Sequence, residues 1–531
     1  MTSAFGRSLT TRGLWLLGLA VSLGMATACS SDDSDNDAGA GETGGSGGQG
    51  GADAGDDGSD ETGGSGGSDE PGGSGGTGGG GEIESPLTEV FADAVPGIDT
   101  LLGLTFAKDG KIYASGYVTV DGDRRTAAVR FNADGTLDTS FGDNGIATYN
   151  VAVAADDAHP NPPANYVAGN EGSYGIVELA NGDVIVQTNA NDGEGGQDVV
   201  LIKFDSEGNF DTDFGVVRID LGWVNGDTDW PGELPPSDQS WGIALDTSGD
   251  EEKVVVFAHG PAKKGSTYEG VQRTDQDRYV VRVLASDGSL DTSFASGGIF
   301  TFDFDDARLS DGGRRGIVEA DGSILQAGYT NFGDGQNNHV GILRLLPDGT
   351  PDTSFGFGTT SPGMTKFNPF KDKGGFAEAY NVTRLSTGAY VTTGYGKVSS
   401  ASVNNDLVSF RIAGDELDTT WGENGAFTVL SEPDPTAGKG AQPNRENGRD
   451  LVRLADDSTF HVGCYDDFAA VFLATKDGFL DESFGDGGKV VYDFPSPFFK
   501  VAQSASGDRI AAVTQGSEGK VFLAIFAINS N

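Results

Sequence analysis

Cysteine, histidine and basic residues are scarce in this chain, and each scarcity removes a class of function. Two cysteines in 531 residues exclude a disulfide framework. The four histidines, at 159, 259, 339 and 461, fall in unrelated parts of the chain and show no metal-ligand spacing. Lys and Arg number 34 against 80 Asp and Glu, a formal charge of −46, and none occurs between Arg12 and Lys108. Nucleic acids and anionic membrane surfaces demand clustered Lys and Arg, so the balance argues against both. No apolar run reaches the ~20 residues that span a bilayer. No segment has helical periodicity, and the repeats described below hold no nucleophile elbow, phosphate loop or Cys-x-x-Cys. Acidic pairs are so common that a glycosidase pair cannot be singled out.

What the chain does have is a repeated block. Asp134-Gly135-Thr136-Leu137-Asp138-Thr139-Ser140-Phe141-Gly142 recurs from Glu207, Asp287, Asp348, Gly414 and Asp477. Its second acidic position falls at 138, 211, 291, 352, 418 and 481, a period of 61 to 80 residues. A fixed block at variable spacing marks a repeat architecture. Each block is embedded in short alternating runs separated by Gly/Asp/Asn turns, the pattern of antiparallel strands. In the first unit these are Leu101–Ala107, Lys111–Val118, Thr126–Phe131 and, after the block, Ile146–Val151. First strands align on Gly103-Leu104, Gly175-Ile176, Gly242-Ile243, Gly316-Ile317, Asn381-Val382, Leu451-Val452 and Val501-Ala502.

Seven first strands face six blocks because the last unit, Phe498–Ile528, stops after three strands. Leu87–Ala92, ahead of the first unit, resembles a fourth strand. An N-terminal strand that completes a C-terminal unit closes a ring and hides its edges. The expected fold is therefore all-β: a seven-bladed propeller of four-stranded antiparallel blades over 85–531, the last blade closed by an N-terminal strand.

The first residues read as an export signal. Arg7 and Arg12 precede the apolar run Leu14–Ala26, and small residues follow. Ala26-Thr27-Ala28-Cys29 fits two cleavages: an ordinary A-x-A cut that releases the protein, or a lipobox cut before Cys29, whose thiol then carries lipid. Ala26 departs from the usual lipobox Leu, but Cys29 at the cleavage position and the tether-like segment behind it favour the lipid. Ser30 resembles the outer-membrane sorting signal of Gram-negative lipoproteins. The expected division is a signal peptide over 1–28, a disordered Gly/Ser/Asp-rich tether over 29–84 and the propeller over 85–531. With Cys29 lipidated, Cys464 reads as a small buried apolar side chain in a strand.

The blocks ending in Leu137-Asp138-Thr139-Ser140-Phe141-Gly142, each after a strand and an Asp-Gly turn, resemble the delta-60 repeats of secreted bacterial proteins. The resemblance spans nearly all of Leu101–Ile528 and departs most at Gly414-Asp415 and Trp421. It implies a propeller-like fold and an exported protein, and it assigns no activity or catalytic residue.

The repeated Asp is read as a cap on local backbone N–H groups in preference to a calcium ligand. Ca²⁺ needs six to eight oxygens, and the position of Asn132 becomes Ala285 and Leu346 in later units. The repeated Phe is read as core between blades. Long irregular loops (154–172, 222–239, 260–277, 362–375 and 431–448) all fall on one face of such a propeller. On that face Trp223, Trp230 and Tyr268, beside carboxylates and amides, are candidate contacts for a glycan or protein partner. The function expected is a membrane-anchored, exported binding or surface-display module. The alternative is an extracytoplasmic polysaccharide lyase or glycoside hydrolase with its site at the axial opening of that variable face. Oligomeric state is not legible.

Overall fold

The computed structural model describes residues 85–120, 123–151, 171–191, 196–223, 237–304, 309–331, 338–402, 405–430 and 447–529. The signal segment, Cys29 and the tether lie outside them.

Seven four-stranded antiparallel sheets stand around an axis. Their first strands are Thr100–Phe106, Gly172–Glu178, Gln239–Asp246, Asp311–Val318, Phe376–Arg384, Asn447–Arg453 and Phe498–Gln503, which define blades 1 to 7. In blade 5 the third strand, Asp406–Ala413, pairs with both Glu416–Leu417 and Ala426–Val429. Second and third strands are sandwiched by neighbouring blades on both faces, so they are buried along most of their length. Val254-Val255-Val256-Phe257-Ala258 shows no more than 1% exposure anywhere. First-to-second turns are tight: Gly110, Gly182, Gly322 and Gly388 sit at φ 84–90°, and Asp457 takes the same left-handed conformation at φ 68° in blade 6.

The N-terminal strand closes the ring. Leu87–Pro96 pairs antiparallel with Lys520–Ile528, from Leu87 opposite Ile528 to Pro96 opposite Lys520, as the outer strand of blade 7. Blade 7 thereby has two apolar faces. Ala524 and Phe526 pack with Leu87 against Phe460 and Leu454 of blade 6. Val521, Leu523 and Ile525 pack with Val95 against Leu101 and Ile112 of blade 1.

The blocks tie each blade to the next. The Asp138 carboxylate accepts the Ser140 N–H and hydroxyl, and Asp291, Asp352, Asp418 and Asp481 repeat this with Ser293, Ser354, Thr420 and Ser483. The other carboxylate oxygen takes a cation from the third strand. Arg130 reaches Asp138 at 2.7 Å, Lys203 reaches Asp211 at 2.8 Å, Arg282 reaches Asp291 at 2.8 Å, and Arg344 pairs with Asp352. The cation also lies over the block's own ring, with Arg130 4.7 Å from the Phe141 centroid and Arg282 4.5 Å from that of Phe294. It then donates across the blade boundary, Arg130 to Ser206 O at 2.6 Å and Arg282 to Pro347 O at 2.7 Å. Burial opposes the charge on Asp138, but Ser140, Lys111 and Arg130 outweigh it and hold the carboxyl well below its ordinary range. The block glycines are required by this joint. A Cβ on Gly208 would lie 2.5 Å from Gly142 N of the preceding block, whose N–H donates to Glu207 O.

Candidate functional site

Every first strand carries a β-bulge, and the bulges build the axis. Register slips between Leu101 and Gly103, Ser173 and Gly175, Ser240 and Gly242, Gly313 and Gly316, Ala379 and Asn381, Gly448 and Asp450, and Phe498 and Lys500. A bulge leaves its extra residue out of the ladder and re-aims it. The extruded residues are Leu102, Tyr174, Trp241, the pair Arg314 and Arg315, Tyr380, Arg449 and Phe499.

They pack together on the side of the long loops. Trp241 lies 5.1 Å from Tyr174 and 5.9 Å from Tyr380, centroid to centroid. Arg314 sits 4.3 Å over Trp241 and 4.9 Å over Tyr380, Arg315 lies 4.5 Å over Phe499, and Arg449 lies 4.7 Å over Tyr380. Arg314 Nε donates to Glu378 Oε1 at 2.6 Å. Apart from the partly buried Tyr174, these rings and guanidinium groups are buried and pack together at the axis.

The next residue after each bulge differs by sector. It is Gly103, Gly175, Gly242 and Gly316 in blades 1 to 4, then Asn381, Asp450 and Lys500 in blades 5 to 7. Asp450 accepts from Lys500 Nζ at 2.8 Å and from Asn381 Nδ2 at 2.5 Å. Burial works against the Asp450 charge, yet Lys500 and Arg315 hold its carboxyl below the ordinary range. Burial pulls the Lys500 ammonium down and brings Arg315 to about 10, which leaves its guanidinium charged at neutral pH.

The glycine sector leaves room for a cavity of about 320 Å³, near the lower end for small-molecule pockets. Gly175, Gly242, Ile243, Val501, Arg315 and Lys500 lie at its depth, and Thr105, Lys108 and Glu178 stand further along their strands. Those strand ends lead into the short first-to-second turns. The lining thus runs from the bulge residues Tyr174 and Arg315 along the first strands toward the short first-to-second turns.

Sequence expectations locate as follows. Trp223 is buried, donates its indole N–H to Ala262 O at 3.1 Å and carries Lys264 Nζ 4.9 Å over its ring. Its indole thus packs against the second-to-third loop of blade 3. Tyr268 is 37% exposed on the small hairpin Thr267–Tyr268 and Val271–Gln272. Trp230 and His159 lie outside the described residues, as does Cys29. His461 is buried between Thr459 and Thr393, and burial pushes it down to about 3. His259 meets Gly313 O, so the described histidines do not converge. Cys464 is buried in the second strand of blade 6, Thr459–Tyr465.

The block carboxylates are engaged by hydroxyls, N–H groups and cations, and they do not gather. Among the described residues, Asp198, Asp220 and Asp238 have the spacing to hold a cation such as Ca²⁺, with ligand atoms within 4.8 Å of one another. Asp198 also accepts from Arg218 at 2.9 Å, and Asp238 from the Leu221 N–H at 2.6 Å.

Sequence reasoning missed Arg315, Asp450 and Lys500. Aligning blades 6 and 7 on Leu451-Val452 and Val501-Ala502 is one residue late. The bulges place Asp450 and Lys500 where blades 1 to 4 have glycine, and that change of residue type was the available signal.

A family model described as a domain of unknown function (DUF5122) β-propeller matches residues 107–141, 265–294 and 319–355. No curated protein matches the chain. The matched segments end on Phe141, Phe294 and Phe355, the ring of the block in blades 1, 3 and 4. All the bulge residues of the axis lie outside them.

Proposed function

We propose that this propeller is an exported, lipid-anchored binding module that takes a small ligand in its axial cavity. One observation carries the reading. Blades that repeat one another at the block stop doing so at the axis, and there they leave a cavity of about 320 Å³. The two-carboxylate chemistry of a glycosidase needs a facing pair, and Glu178 is the one carboxylate among the cavity's described lining residues. That favours binding over hydrolysis.

The test uses the purified full-length chain in a thermal-stabilisation screen against glycans, peptides and Ca²⁺. A ligand held by the native state at a hundred times its Kd adds about 2.7 kcal/mol. Gly242→Val is the control: a Cβ there meets nothing closer than Arg315 Cγ at 3.5 Å, so the valine fills the cavity without a clash at its root. At least one ligand class is expected to raise the melting temperature, and Gly242→Val to cancel the rise. A rise that survives Gly242→Val moves the site elsewhere. The anchor is tested separately: mass spectrometry of the mature N-terminus is expected to find lipid on Cys29, and an unmodified Cys29 or another start refutes it.

A further inference from the structure

Blades 1 to 4 join the ring with glycine at the residue after the bulge, so the fold needs no side chain there. Blade 7 nevertheless carries Lys500 at that position, and blade 6 carries Asp450. Lys500 Nζ donates to Asp450 Oδ2 at 2.8 Å. That oxygen also accepts the Val501 N–H at 3.1 Å, and Oδ1 accepts from Asn381 Nδ2 at 2.5 Å. The two partners are unequally open. Asp450 keeps 1% of its side chain exposed, whereas Lys500 keeps 21% and lines the axial cavity.

The choice of cation also differs from its surroundings. Arg314, Arg315 and Arg449 bring guanidinium groups, which hold their charge, whereas an ammonium gives up its proton readily once desolvated. Burial, with Arg315 beside it, eases the Lys500 ammonium toward the free amine against the pull of Asp450. Replacing a buried ion pair by apolar side chains is often neutral for stability, so packing alone does not call for this one.

We propose that Lys500 captures a small aldehyde in the axial cavity as a Schiff base, with Asp450 carrying the proton. A proton passes from the ammonium to Asp450, and the free Nζ attacks the carbonyl carbon. The carbonyl π pair takes up a second amine proton, giving a carbinolamine. Asp450 then returns its proton to the hydroxyl, which leaves as water. The product is a protonated imine that still pairs with Asp450, and the step uses no oxidant or reductant. A cavity of about 320 Å³ bordered by Gly242, Ile243 and Val501 limits the ligand to an aldehyde of a few carbon atoms, up to an open-chain sugar.

This inference rests on the axial-cavity reading, and its test separates the two. The full-length chain is incubated at pH 7 with glycolaldehyde and sodium cyanoborohydride, which reduces an imine to a stable secondary amine. Peptide mass spectrometry then identifies the modified lysines. Lys500 is expected to be labelled about tenfold or more faster than the exposed Lys263 and Lys371, a margin within reach of a positioned proton carrier. Gly242→Val is expected to abolish the labelling of Lys500. Asp450→Asn keeps the shape but cannot carry the proton, and it is expected to slow Lys500 to the rate of the exposed lysines. Labelling of Lys500 no faster than that of Lys263 overturns the Schiff base, while a thermal shift cancelled by Gly242→Val would still uphold the cavity. Fast labelling that survives Gly242→Val, or a folded Asp450→Asn, also overturns it. Should Asp450→Asn fail to fold, the ratio of Lys500 to Lys263 on the unmodified chain still decides.

Discussion

The block and the bulge occur at opposite ends of the blade, and they behave in opposite ways. At the block, five successive blades keep an Asp paired with a third-strand Arg or Lys: Arg130–Asp138, Lys203–Asp211, Arg282–Asp291, Arg344–Asp352 and Arg411–Asp418, and in four of them the cation also donates to a carbonyl of the next blade. At the bulge, the geometry repeats while the residue changes from Leu102 to Tyr174, Trp241, Arg314 and Arg315, Tyr380, Arg449 and Phe499. A joint between blades poses the same packing problem each time and keeps its solution. An axis is one place seen from seven sides, so its residues are free to specialise.

The comparison can be broken at its strongest point first. Deleting residues 85–96 removes the outer strand of blade 7 and bares the edge of Lys520–Ile528. Each buried Leu or Val lost contributes about 1.5–3 kcal/mol, so this is expected to give the largest fall in melting temperature, with aggregation through the exposed edge. Deleting residues 30–82 instead is expected to leave melting within about a degree or two, and equal melting of the two truncations would refute the composite blade. Phe141→Ala comes next at about 3–5 kcal/mol by denaturant unfolding, because the ring is fully buried beneath Arg130 and beside Tyr113.

A finer cut compares two copies of the block. Asp291 is paired with buried Arg282, whereas Asp481 has Leu473 at the corresponding third-strand position. Asp291→Asn leaves a buried guanidinium short of its partner and is expected to cost about 1–3 kcal/mol, several times the cost of Asp481→Asn. Equal costs would reduce the cation to decoration. The same carboxylates set an acid limb. Asp138, Asp211, Asp291 and Asp418 are held below their unfolded values, Asp138, Asp291 and Asp418 against burial, by Ser/Thr hydroxyls, N–H groups and cations, with Lys203 foremost at Asp211. Their stability is therefore present above about pH 4 and lost as pH falls through the lower folded values. Burial raises Asp277 and Asp311 to about 7, and their favourable contribution is lost as pH rises through that value. Stability is expected to peak near pH 4 and to decline as pH rises toward 7 in a pH series of melting curves. The smallest effect belongs to the axis: Gly242→Ala adds a methyl at ordinary van der Waals distance from Arg315 and Tyr174 and is expected to stay within about 0.5 kcal/mol.

Much of the fold was legible. The period of the block, the three-stranded last unit and the fourth-strand look of Leu87–Ala92 were enough to define seven blades and their closure, since antiparallel alternation and turn residues survive in the sequence. The capping role of Asp138 was legible for the same reason. Its cation partner was also present, with Arg or Lys seven to nine residues before the Asp in five units, but a search for oxygen ligands looks past it. The axis was not legible. A bulge inserts one residue into a strand without changing its composition, so Arg449 and Phe499 look like ordinary strand positions, and the slip they cause hides Asp450 and Lys500. Trp223 shows the converse: it lies in a loop of irregular sequence, yet its indole is buried and donates to Ala262 O in the second-to-third loop of blade 3.

The closing strand also constrains when folding can finish. Leu87 and Ile528 meet across almost the whole described chain, so the first strand to be synthesised waits for the last. Until Lys520–Ile528 arrives, Val95 and Leu87 have no partner face, and blades 1 and 6 each keep an apolar flank uncovered. Contacts of such long sequence separation are slow to form and leave an aggregation-prone intermediate. The ring is thus assembled blade by blade but locked in a single late step, and any protease or chaperone that acts on the nascent chain has the whole of synthesis in which to reach that first strand.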